Sequence, residues 1–146
     1  MTTPTIRRLV KTDLDIYYYN LLNQLSKSSE DSTYDHEKFV NAFENLSSNT
    51  FIFVMIMGDK IIGTISIIIE QKLLHNGGKV GHIEDFVIDK YHCSNGFGSK
   101  LLEFAVDFCK DNSCYKCILN CSENLKKYYE KHNFENKNYQ MSLYFE

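Results

Sequence analysis

Two neighbouring carboxylates, Glu84 and Asp85, interrupt the run Gly81-His82-Ile83-Glu84-Asp85-Phe86-Val87-Ile88-Asp89, which otherwise reads as a core strand. Acids in such a place either face solvent or meet a ligand, because an unpaired charge in an apolar interior is costly. On a regular strand the two point to opposite faces. Both serve one pocket only where a bulge re-aims one of them. The strand then runs through Tyr91-His92-Cys93-Ser94-Asn95-Gly96-Phe97-Gly98-Ser99-Lys100, a glycine-containing turn that opens a helix. Backbone N–H groups converging there with the positive end of a helix suit a phosphate or pyrophosphate, although Gly96-x-Gly98 also makes ordinary turns. A third candidate is the thiol spacing Cys114-x-x-Cys117. A structural zinc site takes four ligands, and Cys117 and Cys121 fall in a strand-like run, Tyr115–Cys121, so no metal is expected.

These residues need a frame to hold them. Thr5–Val10 reads as a short strand, and Thr12 or Asp13 can cap a helix whose apolar face is Leu14, Tyr17, Tyr18, Leu21, Leu22 and Leu25. A second helix is expected over Tyr34–Leu46, with Phe39, Val40 and Phe43 inward and Ser47-Ser48-Asn49 as its stop. Thr50–Met57 and Lys60–Glu70 are β-branched and aromatic runs joined by Gly58-Asp59, a hairpin turn. Gln71–Gly78 reads as loop and Lys79–Ile88 as a further strand. Leu101, Leu102, Ala105, Val106 and Cys109 mark a helix over Gly98–Asp111, followed by strand Tyr115–Cys121, helix Leu125–His132 and a last strand Tyr139–Phe145. The order predicts an α/β fold, a mixed and mostly antiparallel sheet flanked by helices. The crossover through Gly98–Asp111 makes its two flanking strands parallel.

Composition narrows the class. The chain has 146 residues, enough for one domain with a hydrophobic core, so residues 1–146 are read as a single domain. Apolar residues make up 43% and charged residues 24%, which excludes wholesale disorder. A net charge of −3 argues against nucleic acid as a partner, and the longest apolar zone, Phe51–Ile69, is cut by Gly58-Asp59-Lys60 before it could span a bilayer. Five cysteines, an odd number without a secretory leader, point to reduced thiols and a cytoplasmic protein.

The stretch Glu70–Val87 with its Lys72-x-x-His75 and Gly81-His82-Ile83-Glu84-Asp85, the stretch Asn112–Cys121 and the run Tyr128-Tyr129-Glu130-Lys131-His132-Asn133-Phe134 together resemble the glucosamine 6-phosphate N-acetyltransferase branch of the GNAT superfamily. The likeness extends in order and spacing from about Ile6 to Met141. It implies the GNAT fold, with the parallel strand pair splayed, and transfer of acetyl from acetyl-CoA to the 2-amino group of glucosamine 6-phosphate for UDP-N-acetylglucosamine synthesis. It implies that the pyrophosphate of CoA lies on the turn Cys93, Ser94, Asn95, Gly96, Phe97, Gly98 and Ser99, with the pantetheine arm beside Phe86, Val87 and Ile88. Tyr129 matches the tyrosine whose hydroxyl reaches the CoA sulfur, and Glu84 and Asp85 match acids that hold the sugar and take part in removing the amine proton. Lys72 and His75 match positions lining the sugar-phosphate site, and Ser26 matches a substrate-touching Thr or Ser. The family is dimeric, with the site shared between subunits, so a homodimer is expected in which a partner covers the apolar strand Tyr139–Phe145.

Six positions depart from the family pattern, among them Ser94 and Asn95, which stand where Gly and Lys or Gln are common in the phosphate turn. Cys93 replaces an Arg or Gln of the phosphate turn, and Asn120 replaces a carboxylate associated with sugar binding or proton removal. Leu125 stands for a common Asn, with Asn124 beside it as the substitute contact to CoA. Tyr144 stands where an Arg often binds phosphate. The competing readings are acetylation of another amine and a non-catalytic CoA-binding protein.

Overall fold

A computed structural model describes residues 3–26 and 33–145. One sheet of five strands runs in the order β1 (Thr5–Arg8), β2 (Thr50–Met57), β3 (Lys60–Gln71), β4 (Lys79–Ile88) and β5 (Cys114–Ile118). The first four pair antiparallel and β4 pairs parallel with β5. Helices α1 (Ile16–Asn23) and α2 (His36–Glu44) cover one face. The crossover helix α4 (Phe97–Asp111) and the short α5 (Lys126–Glu130) cover the other.

Alternation along the central strands builds two cores. Val54 joins Leu9, Leu14, Tyr18 and Leu21 beneath α1 and α2. Phe53, Met55, Ile65 and Ile67 turn the other way and meet Leu101, Leu102 and Ala105 of α4. The buried face of α4 is thus the predicted one, and Asn112 closes the helix by donating to Phe108 O at 2.8 Å. In α1 the inward residues are Tyr18 and Leu21, while Tyr17 is exposed. Leu14 packs from before the helix, so helical spacing from it does not apply, and the buried stripe of α1 itself is carried by Tyr18 and Leu21, three residues apart. The α2 helix starts at His36 rather than Tyr34 because the Asp35 side chain caps it, accepting from Lys38 N at 3.1 Å.

Elsewhere the elements are shorter or differently shaped than expected. The expected loop after β3 contains α3 (Leu74–Gly77), a single irregular turn in which His75 and Asn76 take φ of 55°. β5 stops at Ile118, three residues before the expected Cys121, and α5 is preceded by a tight turn over Glu123–Leu125. Tyr139–Phe145 pairs with nothing among the described residues, so the expected last strand is absent from the sheet. Its side chains are bare, from 80% exposed at Leu143 to 94% at Tyr139.

Candidate active site

Two irregularities in the sheet make the site. The first lies in β4: Thr64 pairs with Val87 and Ser66 with Glu84, so the single residue Ile65 opposes the pair Asp85 and Phe86. Asp85 absorbs the extra residue with φ of 46°, a left-handed conformation that Asp tolerates better than most side chains. As a result Glu84 and Asp85, which a regular strand would separate, line the same cavity. The second irregularity is the end of the parallel ladder. Pairing of β4 with β5 runs from Lys79 opposite Cys114 to His82 opposite Ile118 and stops there. Beyond it β4 continues to Ile88 while Leu119–Ser122 turn away.

The gap so opened is a cavity of about 350 Å³. Ile83, Glu84, Asp85 and Phe86 form one wall, Leu119, Asn120, Cys121 and Ser122 the other, and Leu25, Leu125 and Tyr129 complete it. Tyr129 is buried, its ring edge-on to Tyr128 at 5.2 Å and to Phe134 at 5.9 Å. Burial, with the neighbouring Tyr128 and Cys121, pushes its phenol up to about 12, so it keeps its proton at any ordinary pH.

The phosphate turn follows β4 directly. Asp89 is its anchor: it accepts from Tyr91 N at 3.3 Å and lies 3.5 Å from Lys60 Nζ. Burial pulls the Asp89 carboxyl upward, but these partners outweigh it and leave the group below its ordinary value. Cys93, though exposed, donates its thiol to Ile88 O and Asp89 O, each at 3.4 Å, and so braces the turn. Gly96 takes φ of 74° and α4 begins after it; the first helical bond is from Lys100 N to Gly96 O at 3.2 Å. The N–H groups of Phe97, Gly98 and Ser99 precede that bond and have no partner within the helix. Gly98 is the close-approach position: a Cβ there would come 3.0 Å from the Tyr128 hydroxyl and 3.7 Å from Phe86 Cζ. The Ser99 hydroxyl meets His132 Nε2 at 3.0 Å, tying the turn to the segment that follows Tyr129.

The structure therefore brings Glu84, Asp85, Phe86, Asn120 and Tyr129 around one cavity, with Val87, Ile88 and the turn from Cys93 to Ser99 continuing along the same edge. Ser26 follows the cavity residue Leu25. Leu125, not Asn124, faces the cavity. Lys72 and His75 do not line it. They stand on the connection between β3 and β4, where Lys72 pairs with Glu70 at 3.4 Å and the His75 ring lies 4.5 Å from Tyr115. His82 Nε2 also meets Glu70 at 2.9 Å, and the hydrogen bonds from His82 and Lys72 hold the Glu70 carboxyl below its ordinary value. In the sequence Leu25, Cys121 and Tyr128 have places in the elements but no role in the site. The helical spacing that ends at Leu25 and the aromatic pair Tyr128-Tyr129 were the available signals.

Residues 16–134 match the model of the GNAT acetyltransferase family. The chain belongs to that family. It is 39% identical to the glucosamine 6-phosphate N-acetyltransferase of Arabidopsis thaliana, over 97% of this chain and 96% of the relative. It is 33% identical to glucosamine 6-phosphate N-acetyltransferase 1 of Dictyostelium discoideum, over 96% and 90%. The crystal structure of the Arabidopsis enzyme superposes with a TM-score of 0.88 over 99% of both chains. The five-stranded GNAT sheet with its one parallel pair is thus the fold expected from the sequence. Among the described residues no helix is long and apolar enough to cross a membrane, and no three His, Cys, Asp or Glu side chains are grouped to hold a metal ion.

Two buried phenols give the fold an alkaline limit. Tyr18, which shares a 2.9 Å hydrogen bond with Thr64, is pushed by burial from its ordinary 10 up to about 12, as Tyr129 is. The unfolded chain releases these protons near pH 10 and the folded chain holds them to about 12. Across that window the folded state binds more protons, so their contribution, complete below the unfolded value, is lost as pH rises. Urea midpoints measured from neutral pH upward should therefore fall in this window, and Tyr18→Phe should flatten the fall. A slope that Tyr18→Phe leaves unchanged would show that the phenol is not its source.

Proposed function

We propose that this chain, as a single acetyltransferase domain over residues 1–146, transfers the acetyl group of acetyl-CoA to the 2-amino group of D-glucosamine 6-phosphate. The products are N-acetylglucosamine 6-phosphate and CoA, a step toward UDP-N-acetylglucosamine, and the setting is the cytoplasm. The observation that carries the reading is the gap between β4 and β5, with two carboxylates on one wall and a protonated phenol at its side. The strand edge from Phe86 to Ile88 offers amide groups to the pantetheine arm, and Phe97, Gly98 and Ser99 offer free N–H donors to the pyrophosphate.

In the reaction the neutral amine attacks the acetyl carbonyl, whose oxygen gains charge as the tetrahedral centre forms. A backbone N–H at Phe86 or Val87 stabilises that oxygen, and being fixed in the bulged strand it needs no reorganisation. Collapse breaks the carbon–sulfur bond and leaves a thiolate. Tyr129 donates a hydrogen bond to it; with its phenol raised to about 12 it is too weak an acid to surrender the proton fully, and it acts as a stabiliser. Glu84 and Asp85 hold the sugar and receive the amine proton through water. Asn120, which cannot take a proton at working pH, contributes hydrogen bonds alone.

The same reading makes the enzyme a homodimer with a shared site. Tyr139, Met141, Leu143 and Phe145 lie at alternating positions and are at least 80% exposed, a pattern that a partner's sheet edge would cover. Lys72 and His75, which do not line the cavity of their own chain, supply a positive charge from Lys72 and a hydrogen-bonding ring from His75 to the sugar phosphate across that interface.

The direct test measures free thiol released from acetyl-CoA with and without glucosamine 6-phosphate. Sugar-dependent release is expected, and its absence would reject the reading. Asn120 on the cavity wall favours one second reading, acetylation of another small amine. In a panel of amines, release with an unphosphorylated amine alone would select it.

A further inference from the structure

Three cysteines outside the cavity, Cys109, Cys114 and Cys117, gather behind β4. Cys109 is buried on the inward face of α4, and Cys114 and Cys117 are half-buried on β5, packed against the same core cluster. Residues three apart on a regular strand point to opposite faces. Here the register shifts: Lys79 pairs with Cys114 but Val80 pairs with Lys116, so Tyr115 is an extra residue and Cys117 turns toward α4. Gly81 supplies the room. A Cβ at Gly81 would collide with Cys109 Sγ and would lie 3.6 Å from Cys117 Cβ, so the two thiols meet over the bare backbone of β4.

The pair is chemically unequal. The neighbouring Cys109 thiol, helped by the charge of Lys110, holds Cys117 below its ordinary value against the upward pull of burial, whereas the neighbouring Cys117 and burial push Cys109 up. Cys117 is thus the more readily deprotonated sulfur of the two and Cys109 the one that holds its proton, the division between an attacking and a resolving cysteine.

We propose that Cys117 and Cys109 are a peroxide-sensitive thiol pair that closes to a disulfide between β5 and α4 within one chain. The Cys117 thiolate attacks an oxygen of hydrogen peroxide, the O–O bond breaks, and the released hydroxide takes up a proton as water, leaving a sulfenic acid on Cys117. The Cys109 sulfur then attacks the Cys117 sulfur, the S–O bond breaks, and the departing hydroxide leaves as water with the Cys109 proton. One peroxide and two thiols give one disulfide and two waters; the thiols are oxidised and the peroxide reduced. The new bond joins the far end of the helix that opens at the phosphate turn to the strand that leads into Asn120.

Peptide mapping tests this on the intact protein. Tryptic cleavage after Lys100, Lys110, Lys116 and Lys126 puts Cys109 and Cys114 on separate peptides and Cys117 on a third that it shares with Cys121. After hydrogen peroxide, alkylation and digestion, Leu101–Lys110 should appear linked to Cys117–Lys126, with the link retained in Cys121→Ser and lost in Cys117→Ser. In Cys109→Ala, dimedone should trap a sulfenic acid on Cys117. No link in the oxidised wild-type protein, a link to the Cys114 peptide instead, or a link formed only between two copies would overturn the proposal, whatever the variants do. Because the readout is the covalent bond and not turnover, it stands or falls separately from the acetyl-transfer reading.

Discussion

Tyr129→Phe should lower kcat for acetyl transfer by about 100-fold, the low end of what removing one preorganised hydrogen-bond donor from a developing charge costs, with little change in the KM for acetyl-CoA. The reason is that the ring and the hydroxyl have separate jobs. The ring is buried between Tyr128 and Phe134, and phenylalanine keeps those edge-on contacts. The hydroxyl borders the cavity and, with its proton retained to about pH 12, is a permanent donor for the leaving sulfur. Steady-state kinetics alongside a melting curve separate the two. A melting temperature near that of the parent with collapsed kcat is the expected pair of results; an unchanged kcat would remove the tyrosine from the chemistry.

Ending the chain at Asn138 should have a second large effect, this time on assembly. The deleted segment contributes nothing to the sheet of its own chain, so the monomer fold should survive its loss. In the proposed dimer, however, the removal strips an apolar strand from each subunit's partner, and the basic residues of the β3–β4 connection no longer reach the opposite cavity. Light scattering should then report a monomer and sugar-dependent thiol release should drop to background, while acetyl-CoA still protects the protein against thermal unfolding. A truncated chain of the same assembly and activity as the full one would refute the shared site.

Much of the frame was legible because its signals are local. The Gly58-Asp59 hairpin, the amphipathic face of α4 and the crossover that forces β4 and β5 parallel all follow from periodicity and turn chemistry. The pairing of Glu84 with Asp85 on one cavity was not legible from alternation, because a bulge depends on how many residues the neighbouring strand offers, and Ile65 alone opposes two. The same holds for Cys117, re-aimed by the extra Tyr115. Tyr139–Phe145 has the composition and alternation of a strand, but those local features do not say which edge a strand pairs with, and it leaves the outer edge of β5 in its own sheet unused. Asn124 and Leu125 exchanged expectations because the tight turn over Glu123–Leu125 fixes which of them faces inward.

The ladder that stops at His82 and Ile118 leaves a permanent raw edge in the middle of the molecule. Peptide groups from Ile83 onward are committed to no protein partner on that side, so they are available to an extended ligand. Whatever fills the slot also seals it, and occupancy at a hundredfold excess over the dissociation constant adds about 2.7 kcal/mol to the folded state. A chain without its acetyl donor is therefore the less stable one by that amount.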